Sequence, residues 1–279
     1  MPTRTWDGSV DGNWGTAGNW VEDVIPVSGD EVYIVSGAVD IDASDQSAID
    51  LDLLVVGSQY TGSIGTAASP LQIGATVFDF AGMGSVNHFS GALDTVTVQN
   101  TGTSATALWL SESTIDTLRI LGGNGTITID DGSTLTSKVE QIGATACTTD
   151  IASDTTFGGS CELVIDDGVL ELNKACPTIT TFGGSLKVTV DGTVTTLNMY
   201  DGLVRWTPTE DCTITTLTVY GGKFDSSEST APSFTVTNTT LFDGIIDERS
   251  GLLNATWTNS VVMEGGQVYY DINRKVAIY

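Results

Sequence analysis

A strand-turn-strand unit recurs about every twenty residues in the second half of the chain, and this repetition limits the fold more than any other feature. Each copy contains a Thr-rich step, an alternating strand, a Gly-Gly or Asp-Gly turn and a second short strand, as in 194–206 and 214–225. A period near twenty without helical segments predicts one turn of a β-solenoid, because a propeller blade needs roughly 40 residues. The turns are 25, 18, 20, 22 and 22 positions apart, at Gly159, Gly184, Gly202, Gly222, Gly244 and Gly266.

Each unit is too short to bury its own apolar side, so alternate Val, Ile, Leu and Phe residues must stack on equivalents in neighbouring units. Composition agrees, since 42 of the 279 residues are Thr and 32 are Gly, which favour strands and turns over helices. We therefore predict an all-β fold, a single-stranded right-handed parallel β-helix of about a dozen coils with an N-terminal Trp-rich cap. Asp-Gly turns also suit hairpins, so a pair of antiparallel β-sandwiches is the alternative.

The sequence divides into three predicted parts. Residues 1–35 form the N-terminal cap or entry segment, 36–268 the β-solenoid, and 269–279 a C-terminal cap or docking segment. An open solenoid exposes unpaired backbone and apolar side chains at each end, so both flanking segments are expected to cover an end or use it for contact.

The charge balance limits the partners. Ten Lys and Arg residues stand against 35 Asp and Glu, a net charge of −25, which repels phosphates and argues against a nucleic-acid partner. The longest apolar run, near 51–56, is too short to span a bilayer, so no membrane insertion is expected. The first twenty residues lack the apolar stretch of a secretory signal peptide, which predicts synthesis in a cytoplasm.

Three of the six tryptophans fall within the first twenty residues, ahead of a proline, a Gly-Asp pair and the strand 31–35. This segment resembles the entry motif that precedes β-helical regions in bacterial surface proteins and in some bacteriophage virion proteins. The resemblance covers about thirty residues and implies a β-helical fold and a surface or virion setting, but no reaction. The matching positions are Trp6, Gly8, Trp14, Asn19, Trp20, Pro26, Gly29, Asp30, Val32 and Ile34.

Cysteine and histidine give no catalytic pattern. His88 is the only histidine, so a catalytic triad or a His-ligated zinc would depend on one side chain, which we expect at the surface or in a capping position. The four cysteines are 14, 15 and 36 residues apart, which matches neither a zinc site nor a dense disulfide framework. We interpret them as small buried hydrophobic residues, with one or two disulfides between neighbouring coils as the alternative. They are Cys147, Cys161, Cys176 and Cys212.

Two Ile-Asp-Asp-Gly segments supply the candidate acidic site. Asp130 and Asp166 could stack to form a calcium site or an acid-base pair, as in a polysaccharide lyase or hydrolase on a β-helical face. A turn explains the same residues, because Asp accepts hydrogen bonds from its own turn backbone and Gly allows a positive φ. We therefore predict no catalytic residue, cofactor or metal, and keep Asp130 and Asp166 as the Ca²⁺ candidates. Lys187 and Arg205 are the candidate cations of the repeat region.

Aromatic side chains recur near the turns, and a row of them on one face would stack on sugar rings or contact another subunit, with core filling as the alternative. They are Tyr200, Trp206, Tyr220, Tyr269 and Tyr270. The stretch 269–279 also contains the adjacent basic pair Arg274 and Lys275. It either caps the final coil or docks onto a partner, and we favour docking because its apolar side chains would otherwise be exposed.

Together these features predict a non-enzymatic structural protein, a bacteriophage virion component such as a capsid decoration or fibre-type protein that displays a rigid acidic rod. The expected partners are further copies of the chain, with a trimer as one arrangement, the major capsid protein or other virion proteins, and a host surface glycan. Two alternatives stay open: a polysaccharide-degrading depolymerase, and an adhesin at the bacterial surface or outside the cell.

Overall fold

The computed structural model describes residues 1–42, 45–99, 107–130, 132–143, 146–190, 192–249, 255–263 and 265–270. A 3₁₀ turn spans Ala17–Asn19, and the strands are β1 (Thr3–Thr5), β2 (Glu31–Gly37), β3 (Asp45–Tyr60), β4 (Leu71–Phe80), β5 (Asn87–Ser90), β6 (Ala92–Gln99), β7 (Ala107–Ser111), β8 (Thr114–Gly122), β9 (Thr126–Asp130), β10 (Thr134–Gln141), β11 (Thr148–Ile151), β12 (Thr156–Phe157), β13 (Glu162–Ile165), β14 (Val169–Leu172), β15 (Thr178–Thr181), β16 (Ser185–Val188), β17 (Gly192–Met199), β18 (Leu203–Trp206), β19 (Cys212–Val219), β20 (Lys223–Asp225), β21 (Phe234–Leu241), β22 (Ile245–Glu248), β23 (Ala255–Val262) and β24 (Gln267–Tyr270).

The strands stack in two parallel ladders that continue from coil to coil. The first ladder contains β1, β2, β3, β4, β6, β8, β10, β13, β15, β17, β19, β21 and β23, with β12 beside β10. The second contains β5, β7, β9, β11, β14, β16, β18, β20, β22 and β24. Parallel pairing of all these strands confirms the β-solenoid and excludes the antiparallel sandwiches.

The solenoid has about ten turns, where about a dozen were predicted. In the early part of the sequence Gly57, Gly74 and Gly91 are each 17 residues apart, but the early coils are longer than this spacing. Val32 pairs with Leu54, and Leu54 pairs with Phe78, so these coils take up 22 and 24 residues. The 17-residue spacing of Gly57, Gly74 and Gly91 therefore does not mark equivalent positions.

The core is one continuous hydrophobic cluster that runs along the solenoid from Trp6 to Ile246. Side chains alternate inward and outward along each strand, and inward residues at one register position stack on each other. Because each coil buries its apolar side only against its neighbours, the cluster holds the coils in register. One such column consists of Leu118, Val139, Leu163, Ile179, Leu197 and Leu217.

Glycine is required at the corners between the two ladders. Gly202 and Gly222 have φ values of 90° and 74°, in the left-handed region that other residues rarely adopt. A Cβ at Gly222 would also lie 2.4 Å from the carbonyl oxygen of Gly202 in the preceding coil. The repeated turn pair of the sequence is thus needed both for the bend and for close stacking.

The N-terminal segment belongs to the first coil. The strand β1 pairs in parallel with β2, which pairs with β3. The backbone N–H of Trp6 also donates to the carbonyl oxygen of Tyr33 at 2.9 Å. Stacking therefore begins inside the segment 1–35 that the sequence assigned to the cap.

Candidate interaction surfaces

Three tryptophans close the N-terminal end of the solenoid. Trp6, Trp14 and Trp20 are each at most 3% exposed. The ring of Trp20 makes edge contacts with the other two, at centroid distances of 5.2 Å to Trp6 and 4.8 Å to Trp14. Its indole Nε1 donates to the backbone oxygen of Trp14 at 3.0 Å. The Trp-rich cap is therefore confirmed.

The polar residues of the entry segment are structural. The buried side chain of Asn19 accepts hydrogen bonds from the backbone of Val10 and Asp11 at 3.0 and 2.9 Å. The buried carboxylate of Asp30 accepts from Arg4 Nε at 3.0 Å and from the backbone of Val27 at 3.1 Å. The Asn-Trp and Gly-Asp pairs thus hold the cap in place, while the resemblance to the entry motif stays a prediction.

The outer side of the first ladder carries rows of hydroxyl and amide groups. In the later coils, two outward register positions are filled by Thr and Asn with a single Val, and inward hydrophobic residues lie between them. One row is Thr178, Thr196, Thr216, Asn238 and Asn259; the next is Thr180, Asn198, Thr218, Thr240 and Val261. Since these residues are uncharged, this face differs from the strongly acidic average of the chain.

A row of stacked aromatic rings borders these rows at the corner of the coils. Phe182, Tyr200, Tyr220 and Phe242 follow one another in successive coils, with centroid distances of 4.9, 4.6 and 4.9 Å and interplanar angles of 13°, 6° and 3°. Phe182, Tyr200 and Tyr220 are 48%, 45% and 41% exposed. We call this row together with the two polar rows the Thr-aromatic face.

The aromatic residues singled out from the sequence separate in the structure. Tyr200 and Tyr220 belong to the Thr-aromatic face, but Trp206 is fully buried, with its Nε1 3.4 Å from the sulfur of Cys212. Trp206 therefore fills the core, which confirms the core-filling interpretation for this residue. Sequence reasoning missed Phe182 and Phe242, although both stand directly before a turn pair, as Tyr200 and Tyr220 do.

The outer side of the second ladder carries a column of charges. Register places Asp150, Glu171, Lys187, Arg205 and Asp225 at successive levels. Burial, and then the charge of Glu171, raises the pKa of Asp150. The Nζ of Lys187 lies 3.4 Å from the carboxylate of Glu171, and Arg205 lies between Lys187 and Asp225 in register. The two candidate cations thus belong to a mixed-charge column along an outer face.

The charge column continues to a buried carboxylate near the C-terminal end. Asp247 accepts from Arg249 Nη2 at 2.6 Å and lies 3.0 Å from Lys223 Nζ, while its own side chain is 1% exposed. Hydrogen bonding from Arg249 and from Lys223 lowers the pKa of Asp247 well below its usual range. This ion-pair cluster joins the two adjacent coils that contain β20 and β22.

The two candidate calcium ligands do not meet. Asp130 ends β9 and accepts a hydrogen bond from Ser111 Oγ at 2.6 Å, whereas Asp166 follows β13. Register places them two coils apart and at different corners, so the suggested stacked pair does not form. In the Ile-Asp-Asp-Gly segment 165–168 the turn interpretation fits, because the backbone N–H of Gly168 donates to the side chain of Asp167 at 2.7 Å. Among the described residues, no group of three or more His, Cys, Asp or Glu is placed to hold a metal ion.

The cysteines and the histidine are interior. All four cysteines are buried free thiols, which confirms their interpretation as small hydrophobic residues, and burial raises the pKa of Cys147 to about 11. His88 is 5% exposed and stacks on Trp109 at a centroid distance of 4.3 Å, so its expected surface position was wrong. Burial lowers the pKa of His88, which favours the neutral ring.

The last described coil exposes side chains that are buried in earlier coils. Val262 occupies the register position of Leu241, which is fully buried, yet Val262 is 53% exposed. Val268 follows Ile246 in register and is 37% exposed. Tyr269 is 42% exposed, with the guanidinium of Arg249 5.2 Å from its ring centroid. The side chain of Tyr270 and the predicted pair Arg274 and Lys275 lie outside the described residues.

A surface depression lies over early coils of the first ladder. It has a volume of about 210 Å³ and includes Val55, Asp79 and Thr97 in its lining. Small-molecule sites are larger, roughly 300–1,000 Å³. Asp79 is the one ionisable residue of this lining, so the depression offers no second group for acid-base chemistry.

No protein-family model, curated protein or solved structure matches this chain. In the part of the chain that the structure describes, no helix has the length and apolar character needed to cross a bilayer.

Proposed function

We propose that this chain is a non-enzymatic structural element of a bacteriophage particle, a capsid decoration or fibre-type protein that reaches the virion after synthesis in the host cytoplasm. It would present a rigid acidic rod to solvent. The fold suits this role, since about ten coils stack on one continuous hydrophobic core.

The contrast between the two ends of the rod carries the proposal. At the N-terminal end, three tryptophans and the Asp30 ion pair seal the first coils. At the other end, inward register positions present Val262 and Val268 to solvent. Exposed apolar groups at one end mark an attachment surface, so the rod would contact a virion protein through its last coil.

Further support comes from how the charged groups are arranged. The candidate carboxylates lie at separate corners, and Lys187 and Lys223 pair with carboxylates along an outer face. These groups stabilise the stacking of coils, as expected of a rod that uses its side chains to hold its shape.

A mass-spectrometric inventory of purified particles tests the proposal. We expect peptides of this chain at a fixed ratio to the major capsid protein. With Val262→Asp, the number of copies per particle should fall at least tenfold while circular dichroism of the purified chain is unchanged. The matched control Val169→Asp adds the same charge to an exposed valine far from the last coil.

Two results would overturn the proposal. One is the absence of the chain from particles whose other structural proteins are detected. The other is turnover of a bacterial exopolysaccharide by the purified chain, with release of reducing ends or unsaturated products at catalytic rates, which would assign it to the depolymerases.

A further inference from the structure

We infer that the Thr-aromatic face is a self-association surface, through which two copies of this chain pack side by side. The inference concerns the flank of the rod and does not depend on attachment through its last coil. It goes beyond an expected homo-oligomer by assigning the contact to named residues.

Charge is the first reason. The chain has a net charge of −25, so two copies repel each other unless they meet where carboxylates are absent. Across the described coils from Thr178 to Val261, the three outward rows of this face contain Thr, Asn, Val, Phe and Tyr. Carboxylates lie only at its borders, where Asp201 and Asp243 follow the aromatic row and Glu162 accepts a hydrogen bond from Thr180 at 3.3 Å. The second ladder instead presents a column of paired charges. The Thr-aromatic face therefore allows close approach of two acidic rods.

The stacking of the aromatic rings is the second reason, because it distinguishes a protein partner from a glycan. Sugar binding by aromatic residues uses the open faces of the rings. Here the faces of Tyr200 and Tyr220 are covered by neighbouring rings at 4.6 to 4.9 Å, nearly parallel. The exposed parts are the ring edges, which form an apolar ridge beside the polar rows. Such a mixture of aromatic edges and hydroxyl groups is typical of protein interfaces.

Periodicity and area are the third reason. A second copy has rows with the same spacing, so a contact made at one coil repeats at the next, and a two-fold axis satisfies both partners. Five coils at about 4.8 Å and rows that span five residues at about 3.3 Å give a face of roughly 400 Å². A pair of such faces would bury roughly 800 Å² in total, the size of a weak and transient protein contact. We therefore expect a reversible, concentration-dependent dimer.

Sedimentation velocity on the purified full-length chain tests the inference. The weight-average mass should rise toward a dimer with concentration, and the dimer should strengthen as salt is added, because salt screens repulsion between the acidic rods. Tyr220→Asp and Tyr220→Lys should each weaken association at least tenfold, because either charge would be buried in the contact. The opposite signs of the two variants separate this effect from a change in net charge.

Val169→Asp is the matched control, since Val169 is 37% exposed on the second ladder and Tyr220 is 41% exposed. Its association should stay within twofold of the unmodified chain. Circular dichroism and melting temperature check that every variant folds. A chain that stays monomeric at all concentrations, or an oligomer that both Tyr220 variants leave intact, would overturn the inference. So would binding of a neutral polysaccharide that is lost in both variants, since the face would then be a glycan site.

Discussion

The two ends of this solenoid solve the same physical problem differently. Each end of a stack of coils exposes backbone and apolar side chains unless other groups cover them. At the N-terminal end, tryptophan rings and the buried carboxylate of Asp30 cover the first coils. At the last described coil, Val262 remains half exposed at a position that is fully buried one coil earlier. Among the described residues, the first coils are therefore tightly packed, whereas the last described coil leaves inward side chains partly exposed.

The largest expected effect is at the sealed end. Trp14→Ala should lower the free energy of unfolding by about 3–5 kcal/mol, because it leaves a large cavity in a fully buried cluster. Trp257→Ala, at the other end, should cost about 1–2 kcal/mol, because this ring is only partly buried. Urea unfolding measures both values, and hydrogen exchange should show lost protection in the first coils for Trp14→Ala. Equal costs would mean that the ends do not differ in packing.

The next largest effect on stability is expected at the buried carboxylates near each end. Asp30→Asn should cost about 3 kcal/mol, since it leaves Arg4, itself 16% exposed, without its charged partner. Asp247→Asn should cost about 1–2 kcal/mol, because Arg249 and Lys223 are 59% and 34% exposed and can be hydrated instead. Thermal unfolding of the two variants at neutral pH provides the comparison. A larger loss of stability for Asp247→Asn than for Asp30→Asn would contradict the expectation that the cost depends on how exposed the basic partners are.

The contribution of Asp247 to the free energy of unfolding should decrease at acidic pH, as its carboxylate becomes protonated. Its pKa is lower in the folded chain than in the unfolded chain, mainly through Arg249. The stabilisation is therefore complete above the unfolded pKa of about 3.9 and is lost as pH falls toward the folded pKa. The stability difference between the unmodified chain and Asp247→Asn should be constant from about pH 7 to 5 and shrink below about pH 4. A difference that does not change with pH would exclude this ion pair as its cause.

The smallest effect is expected at the exposed inner position of the last coil. Val262→Ala should change the free energy of unfolding by no more than about 0.5 kcal/mol, because the side chain is already half exposed. Leu241→Ala, one coil earlier at the same register position, should cost about 2–5 kcal/mol. Chemical denaturation of the pair tests how sharply burial changes between adjacent coils. A cost for Val262→Ala close to that of Leu241→Ala would show that the last coil is covered.

Much of the fold follows from local patterns. The turn pairs near Gly202 and Gly222 and the alternating strands between them predicted parallel coils, because each pattern depends on backbone geometry within a few residues. The tryptophans of the cap were predicted for the same reason, since large apolar side chains clustered at one end of a repeat have few other places to pack. The early coils were harder, because their lengths vary and Gly57 and Gly74 are not equivalent.

The residues of the interaction surfaces could not be predicted in full, because the register between coils decides which side chains lie together. The sequence placed Tyr200, Tyr220 and Trp206 near turns but left open whether they fill the core or form an outer row. Only the structure shows that the two tyrosines are exposed and that Trp206 is buried. Phe182 and Phe242 were missed, because only the stacking of coils shows that all four rings share one column. Asp130 and Asp166 have identical local sequences and yet lie at different corners. They are 36 residues apart, whereas the coils here are 22 and 21 residues long, so the separation is not a whole number of coils.

Period, composition and turn chemistry are local properties of the chain, and they were enough to predict a parallel solenoid with a Trp-rich cap and a strongly acidic charge. The three-dimensional structure was needed to show which outward residues form continuous rows, where charges pair and which apolar side chains of the last described coil are exposed. Those features depend on contacts between residues about twenty positions apart, and a shift of one residue in register would move each side chain to the opposite face.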